Sequence, residues 1–165
     1  MALRILVADD ETDIELLITQ RFRKEIRDGV FEFVFAENGA VALQRLKQED
    51  EIDLLLADIN MPVMDGLTLL ERSKAEITRP LKSVVVSAYG DLQNIRQAMN
   101  RGAFDFITKP VDFTDLELTI KKAKEELQFI KEALLLSKEL DSERSEREKA
   151  ELREKFKQQF LANMS

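Results

Sequence analysis

Five short apolar segments, separated by helical patterns, constrain the fold of this chain more than any other feature. The clearest segment, residues 54–57, runs directly into Asp58 and then into a loop that contains Pro62. A short apolar run bounded by turn residues is typical of a strand that is buried on both faces of a parallel sheet. By this pattern the sequence predicts strands at residues 3–8, 31–36, 52–57, 83–86 and 103–107.

Apolar residues recur at helical spacing in the intervals between these strands, as Ile18 and Phe22 do in the first interval. In that interval we expect one helix, with Thr12 or Asp10 as its N-cap and Gly29 as its end. Strands that alternate with helices through short connections predict an α/β fold. The expected architecture is a doubly wound, five-stranded parallel sheet with helices on both faces.

Polar residues stand at the ends of four of the predicted strands. They are Asp9 and Asp10, Asp58, Ser87 and Lys109. Because the carboxyl ends of parallel strands meet at one edge of a sheet, we expect these side chains to converge. The predicted rim carries three carboxylates, a hydroxyl and an amine.

The composition narrows the chemistry that this rim can support. The chain contains neither histidine nor cysteine, which excludes histidine general bases, disulfides and the common zinc sites. Carboxylate oxygens suit a hard divalent cation, and Mg2+ fits two or three carboxylates with a carbonyl. A metal and Lys109 beside a carboxylate are typical of phosphoryl transfer. In such a site Asp58 can itself be the nucleophile, and Ser87 can hydrogen-bond a phosphoryl oxygen.

Charge and hydropathy limit the partners of the chain. It has 32 acidic and 25 basic residues, a net charge of −7, so nucleic acid is not an expected ligand. No apolar run approaches the ~18 residues that cross a bilayer, and the N-terminus lacks the layout of a signal peptide. We expect a cytoplasmic protein without a membrane segment.

Residues 113–165 contain neither glycine nor proline, which predicts one long helix. Apolar residues in its first part alternate steps of four and three, the spacing of a heptad seam. Polar residues occupy the seam between residues 137 and 151, where we expect the register to loosen. We therefore predict a parallel homodimer through residues 113–165. The first seam residues are Leu116, Ile120, Ala123, Leu127, Ile130 and Leu134.

The strand-end residues, in their order along the chain, resemble the receiver domain of two-component response regulators over residues 1–124. The matching motifs are Asp9-Asp10, the loop of residues 58–66, Ser87-Ala88 and Lys109-Pro110. The resemblance implies a flavodoxin-like sheet with strand order 2-1-3-4-5. It also implies that Asp58 accepts a phosphoryl group from a phosphohistidine on a histidine kinase or a phosphotransfer protein.

The same resemblance implies a metal site and a charge partner. Mg2+ would be held by Asp10, Asp58 and the backbone carbonyl of Asn60, with Asp9 acting mostly through water. Lys109 would pair with the acyl phosphate.

Further roles implied by the resemblance concern switching and hydrolysis. Ser87 would move toward the phosphoryl group, and Phe106 would turn inward as the coupled aromatic residue. Alternatively, Phe106 is a buried core residue. Asn60 and Tyr89 would flank the hydrolytic water and tune dephosphorylation.

Residues 156–165 resemble the run that leads into the phosphoacceptor box of sensor histidine kinases. This resemblance predicts a receiver domain at 1–124, a coiled-coil signalling helix at 125–155 and the start of a kinase dimerisation helix at 156–165. The chain would then be part of a hybrid histidine kinase, and would by itself catalyse only its own phosphorylation and dephosphorylation. Alternatively, the aromatic residues of this run are ordinary coiled-coil seam residues.

Two other functions remain open at the level of the sequence. One is a constitutive dimerisation scaffold whose acidic rim is unused. The other is a free Mg2+-dependent phosphohydrolase of small phosphate esters, although a minimal five-stranded domain leaves little chain for a substrate pocket.

Overall fold

The computed structural model describes residues 1–164, in which strands alternate with helices. The strands are β1 (Leu3–Ala8), β2 (Phe31–Ala36), β3 (Leu54–Asp58), β4 (Lys82–Ser87) and β5 (Asp105–Thr108). The helices are α1 (Asp13–Arg21), α2 (Arg23–Arg27), α3 (Gly39–Gln48), α4 (Gly66–Glu76), α5 (Leu92–Asn100) and α6 (Phe113–Met164).

All strand pairs in the sheet are parallel, and the strand order is β2-β1-β3-β4-β5. Val7 of β1 pairs with Leu56 of β3, and Ser87 of β4 pairs with Thr108 of β5. The carboxyl ends of β1, β3, β4 and β5 therefore lie at one edge of the sheet. The predicted fold class and strand order are confirmed.

The two faces of the sheet carry separate apolar clusters, because successive side chains of a strand point to opposite faces. Val7, Leu56 and Val86 pack with residues of α1 and α6 on one face. The opposite face packs against α3, α4 and α5, and its strand residues include Leu6, Leu55 and Val85. Full burial of each such side chain contributes roughly 1.5–3 kcal/mol relative to exposure.

The helical segment between β1 and β2 differs from the prediction of a single helix that ends at Gly29. It is divided at Phe22, whose backbone leaves helical geometry between α1 and α2. The Phe22 ring is fully buried and packs edge-on against Phe31 at a centroid distance of 5.7 Å. Thr12 does stand at the N-cap of α1, but its side chain makes no capping hydrogen bond.

The first turns of α6 belong to the compact core of residues 1–127. Four residues of the predicted heptad seam, Leu116, Ile120, Ala123 and Leu127, are at most 2% exposed there. They pack in the cluster on the α1 side of the sheet. This part of the predicted seam is therefore covered by the chain itself and is not open to a second copy.

From Gln128 onward α6 forms a separate unit. It stays helical to Met164, and Ser165, the last residue of the predicted kinase-like run, lies outside the described residues. Most apolar side chains of this unit are exposed within the single chain, for example Phe129 and Phe156, each 72% exposed.

A search of residues 1–164 for membrane-spanning helices finds no helix that is both long and apolar enough.

Candidate functional site

The last residue of β3, Asp58, lies at the centre of the candidate site and is 3% exposed. Lys109 Nζ donates a hydrogen bond to Asp58 Oδ2 at 2.6 Å. The Asn60 N–H donates to Asp58 Oδ1 at 3.1 Å. The position of Lys109 follows from the sheet, since its backbone N–H bonds to the Ser87 carbonyl at 2.8 Å. The structure therefore brings together the carboxylate and the amine that the sequence placed on one rim.

The two acids that follow β1 complete a carboxylate cluster with Asp58. One carboxylate oxygen from each of Asp9, Asp10 and Asp58 lies within 4.8 Å of the others. Asp9 is partly buried, and its Oδ1 accepts a hydrogen bond from the Glu11 N–H at 2.9 Å. Asp10 is exposed. The cluster is therefore buried at Asp58 and open to solvent at Asp10.

Burial raises the pKa of the Asp9 carboxyl from 3.8 to about 6. The Asp58 charge adds to this rise, while the hydrogen bond from Glu11 and the Lys109 charge oppose it. For Lys109, partial burial acts to lower the pKa, but the hydrogen bond and charge of Asp58 outweigh it and raise the pKa overall. The site thus holds more negative charge than its single lysine balances.

Asp9→Asn should stabilise the metal-free protein by about 1 kcal/mol at pH 7. The full pKa rise corresponds to about 3 kcal/mol, which we reduce because Asp9 is only partly buried. A carboxyl whose pKa is raised by folding destabilises the native state once it ionises. The gain should therefore shrink between pH 6 and pH 4, which urea unfolding with a chelator would measure.

Magnesium should reduce or reverse the stability advantage of the Asp9→Asn variant. Mg2+ should stabilise the unmodified chain more than the Asp9→Asn variant, because binding to the native state adds to stability. If the Asp9→Asn variant is less stable than the unmodified chain at pH 7 without metal, the ionised Asp9 carboxylate does not destabilise the native state as we expect.

The donor set of the cluster fits Mg2+, which prefers carboxylate and carbonyl oxygens together with water. Three carboxylates in mutual reach repel one another, and a divalent cation between them would remove that repulsion. Asn60 lies two residues beyond Asp58, where its backbone carbonyl is the predicted additional ligand. The residues present therefore suit a magnesium ion.

Ser87 ends β4 next to β5, and its side chain is 1% exposed. Within residues 1–164 its hydroxyl has no hydrogen-bond partner. A buried hydroxyl without a partner costs stability, so a group that bonds to it on phosphorylation would recover that cost. The geometry is compatible with the predicted role of Ser87.

The other residues predicted to act in switching and hydrolysis are more exposed to solvent than Asp58 and Ser87. Phe106 of β5 is 39% exposed, which contradicts the alternative of a core residue for this ring. Tyr89 is 87% exposed, and Asn60 is also exposed. Of these residues, Asn60 contacts the acid cluster through its N–H, and the rings of Phe106 and Tyr89 are open to solvent.

The loop from β3 to α4 is held by close backbone packing that the sequence motif did not explain. Gly66 begins α4, and an added Cβ there would overlap the backbone carbonyl oxygen of Asp58. The Gly66 N–H bonds to the Ile59 carbonyl at 2.9 Å. Asp65, the residue before Gly66, is the N-cap of α4, and its Oδ1 accepts a hydrogen bond from the Thr68 N–H at 2.7 Å. The loop therefore fixes the backbone that carries Asp58.

Comparison with protein families gives a match to the response regulator receiver domain over residues 5–121.

Individual proteins agree with this match. Sporulation initiation phosphotransferase F of Bacillus subtilis is 33% identical over 119 residues, which cover 72% of this chain and 91% of that protein. The regulatory protein AtoC of Escherichia coli is 32% identical over 140 residues, or 81% of this chain but only 29% of AtoC. A CheY-like receiver domain protein of Methanospirillum hungatei superposes with a TM-score of 0.67 at 32% identity, over 78% of this chain and 98% of that structure.

Proposed function

The chain belongs to the response regulator receiver family, and on that premise we propose that Asp58 is its phosphoacceptor. The donor is a phosphohistidine on a histidine kinase or a phosphotransfer protein. The observation that carries the proposal is the hydrogen bond from Lys109 to Asp58, 2.6 Å long, beside two further carboxylates.

In the proposed reaction an Asp58 carboxylate oxygen attacks phosphorus and the bond from phosphorus to the histidine nitrogen breaks. The product is an aspartyl phosphate, and the histidine nitrogen retains the electron pair. Lys109 pairs with the transferred phosphoryl group, which preserves the charge contact that it makes with Asp58. The free hydroxyl of Ser87 then bonds a phosphoryl oxygen.

A magnesium ion would be held by Asp10, Asp58 and the Asn60 carbonyl, with Asp9 acting through water. When bound, it supplies positive charge against the phosphoryl oxygens. In this proposal Asn60 and Tyr89 flank the path of the hydrolytic water. Phe106 turns inward as Ser87 moves.

Incubation with acetyl phosphate and Mg2+ tests the phosphoacceptor role. The intact mass should rise by the mass of one phosphoryl group, and peptide analysis should place that group on Asp58. A chelator should suppress the reaction. Phosphorylation of another acid would contradict the proposal, and so would a failure of every phosphodonor to phosphorylate the chain.

We further propose that residues 128–164 pair with a second copy as a parallel coiled coil that transmits the state of Asp58. The apolar side chains exposed in this unit support a partner helix, since a solvated helix of this length gains little from its own contacts. In this proposal residues 1–124 are the receiver, 125–155 the signalling helix and 156–165 the start of a kinase dimerisation helix in a longer protein.

Sedimentation of the chain with and without beryllofluoride and Mg2+ tests this second proposal. We expect a dimer that Leu134→Glu combined with Phe156→Glu converts to a monomer, because both residues are apolar and more than half exposed and Leu134 lies on the predicted seam. The matched control is Glu139→Gln with Glu143→Gln. A monomer at all concentrations, with or without the phosphoryl mimic, would contradict it.

A further inference from the structure

A fourth carboxylate, that of Glu11, lies at the rim of the acid cluster, outside the motif that identifies the site. Glu11 follows Asp10 directly and precedes α1. Its Oε1 lies 3.7 Å from Lys109 Nζ, the amine that contacts Asp58 Oδ2 at 2.6 Å. One ammonium group therefore contacts both carboxylates.

The backbone also ties Glu11 to the site. Its N–H donates to Asp9 Oδ1 at 2.9 Å, which holds residue 11 beside the cluster. The Glu11 side chain is 67% exposed, whereas the side chains of Lys109 and Asp58 are 31% and 4% exposed. The Glu11 charge is thus the most solvent-exposed of the three.

We infer that Glu11 sets the phosphodonor specificity of Asp58 by disfavouring small donors that carry two negative charges. This inference rests on the proposed phosphoacceptor role of Asp58. Glu11 acts through its field and through its contact with Lys109, so it is a specificity-determining residue that does not touch the reacting atoms.

Two small phosphodonors of different net charge distinguish the electrostatic effect of Glu11 from effects that do not depend on donor charge. With acetyl phosphate, the bond from phosphorus to the acetate oxygen breaks and acetate leaves with the electron pair. With phosphoramidate, the bond from phosphorus to nitrogen breaks and ammonia leaves, its nitrogen already protonated. At pH 7.5 acetyl phosphate carries two negative charges, and phosphoramidate carries a net charge of one.

A unit charge at about 6 Å in water changes a rate roughly threefold for each unit of donor charge. Glu11→Gln should therefore accelerate phosphorylation by acetyl phosphate roughly tenfold, and by phosphoramidate roughly threefold. Both factors should shrink at about 0.5 M salt, because the Debye length then falls to a few ångströms.

The experiment measures both phosphorylation rates at saturating Mg2+ in the full chain. Glu11→Asp keeps the charge and should keep the donor preference of the unmodified chain. Glu15→Gln removes one negative charge within the first turn of α1 and should change neither rate by more than a small factor. The ratio of the two donor rates cancels any effect of a variant on metal binding.

The outcomes separate this inference from the proposed function. If neither of these two donors nor a phosphohistidine-bearing phosphotransfer protein modifies the unmodified chain or the Glu11→Gln variant, the phosphoacceptor role itself is wrong. If it is phosphorylated but Glu11→Gln changes both donor rates equally, or neither, the specificity role of Glu11 is wrong. A salt-sensitive rise in the preference for acetyl phosphate supports it.

Discussion

Replacing Asp58 by asparagine should lower the rate of phosphoryl incorporation by at least about a thousandfold. The amide lacks the anionic oxygen that attacks phosphorus, and no other acid of the cluster makes the 2.6 Å contact with Lys109. Intact-mass measurement after incubation with acetyl phosphate and Mg2+ gives the rate directly. Asp50→Asn removes an acid whose side chain is 91% exposed and should leave the rate unchanged.

The Asp58→Asn variant should keep its stability within about 1 kcal/mol of the unmodified chain. The introduced amide oxygen can accept from Lys109 or from the Asn60 N–H, but not from both, and the loss of one charge relieves repulsion with Asp9, which offsets part of the lost hydrogen bond. Lys109 remains partly solvated and near Glu11, so it is not left as an isolated buried charge. Urea unfolding checks this point. Equally fast phosphorylation of the variant would mean that a residue other than Asp58 is the nucleophile.

The sheet was predictable because its strands carry a strong local signal. Residues 3–8 and 31–36 were predicted with the bounds that β1 and β2 have. The interruption of the first helix at Phe22 was not predicted, because helical spacing continues through this residue. The structure also shows the Phe22 ring packed against Phe31 of a later strand, a contact that spacing does not reveal. The helical pattern likewise did not predict which apolar side chains are exposed to solvent. Leu92 belongs to the apolar pattern of α5, yet it is 74% exposed.

The heptad pattern of α6 illustrates a further limit. Periodicity shows that an apolar stripe needs a partner surface but does not identify that surface. For Leu116 and Ile120 the partner is the sheet of the same chain, as it is for Leu127 at the end of the compact unit. A second copy can therefore cover the stripe only within residues 128–164.

At the candidate site, the motif located Asp9, Asp10, Asp58 and Lys109, because parallel strands bring their carboxyl ends together. It did not locate Glu11, whose role depends on a side-chain contact across the rim. The only sequence signal for Glu11 was its position directly after the acid pair.

Gly66→Ala should destabilise the chain by about 3 kcal/mol and slow phosphorylation of Asp58. The added Cβ would overlap the Asp58 carbonyl oxygen and would lie 2.8 Å from the Ile59 Cα. Both obstacles are backbone atoms at the end of a buried central strand, so neither can move aside cheaply. Relief requires that the Gly66 backbone and the backbone of residues 58–59 separate, and movement of residues 58–59 would displace the Asp58 carboxylate from Lys109.

Gly29→Ala is the matched control for this substitution. Gly29 has a φ of +71° but no atom within 4 Å of an added Cβ, so only backbone strain of about 1 kcal/mol is expected there. Urea unfolding and the phosphorylation rate should be measured for both variants. If Gly66→Ala loses no more stability than Gly29→Ala, the β3–α4 loop accommodates the added Cβ with little cost. In that case, the rigid backbone assigned to Asp58 would be wrong.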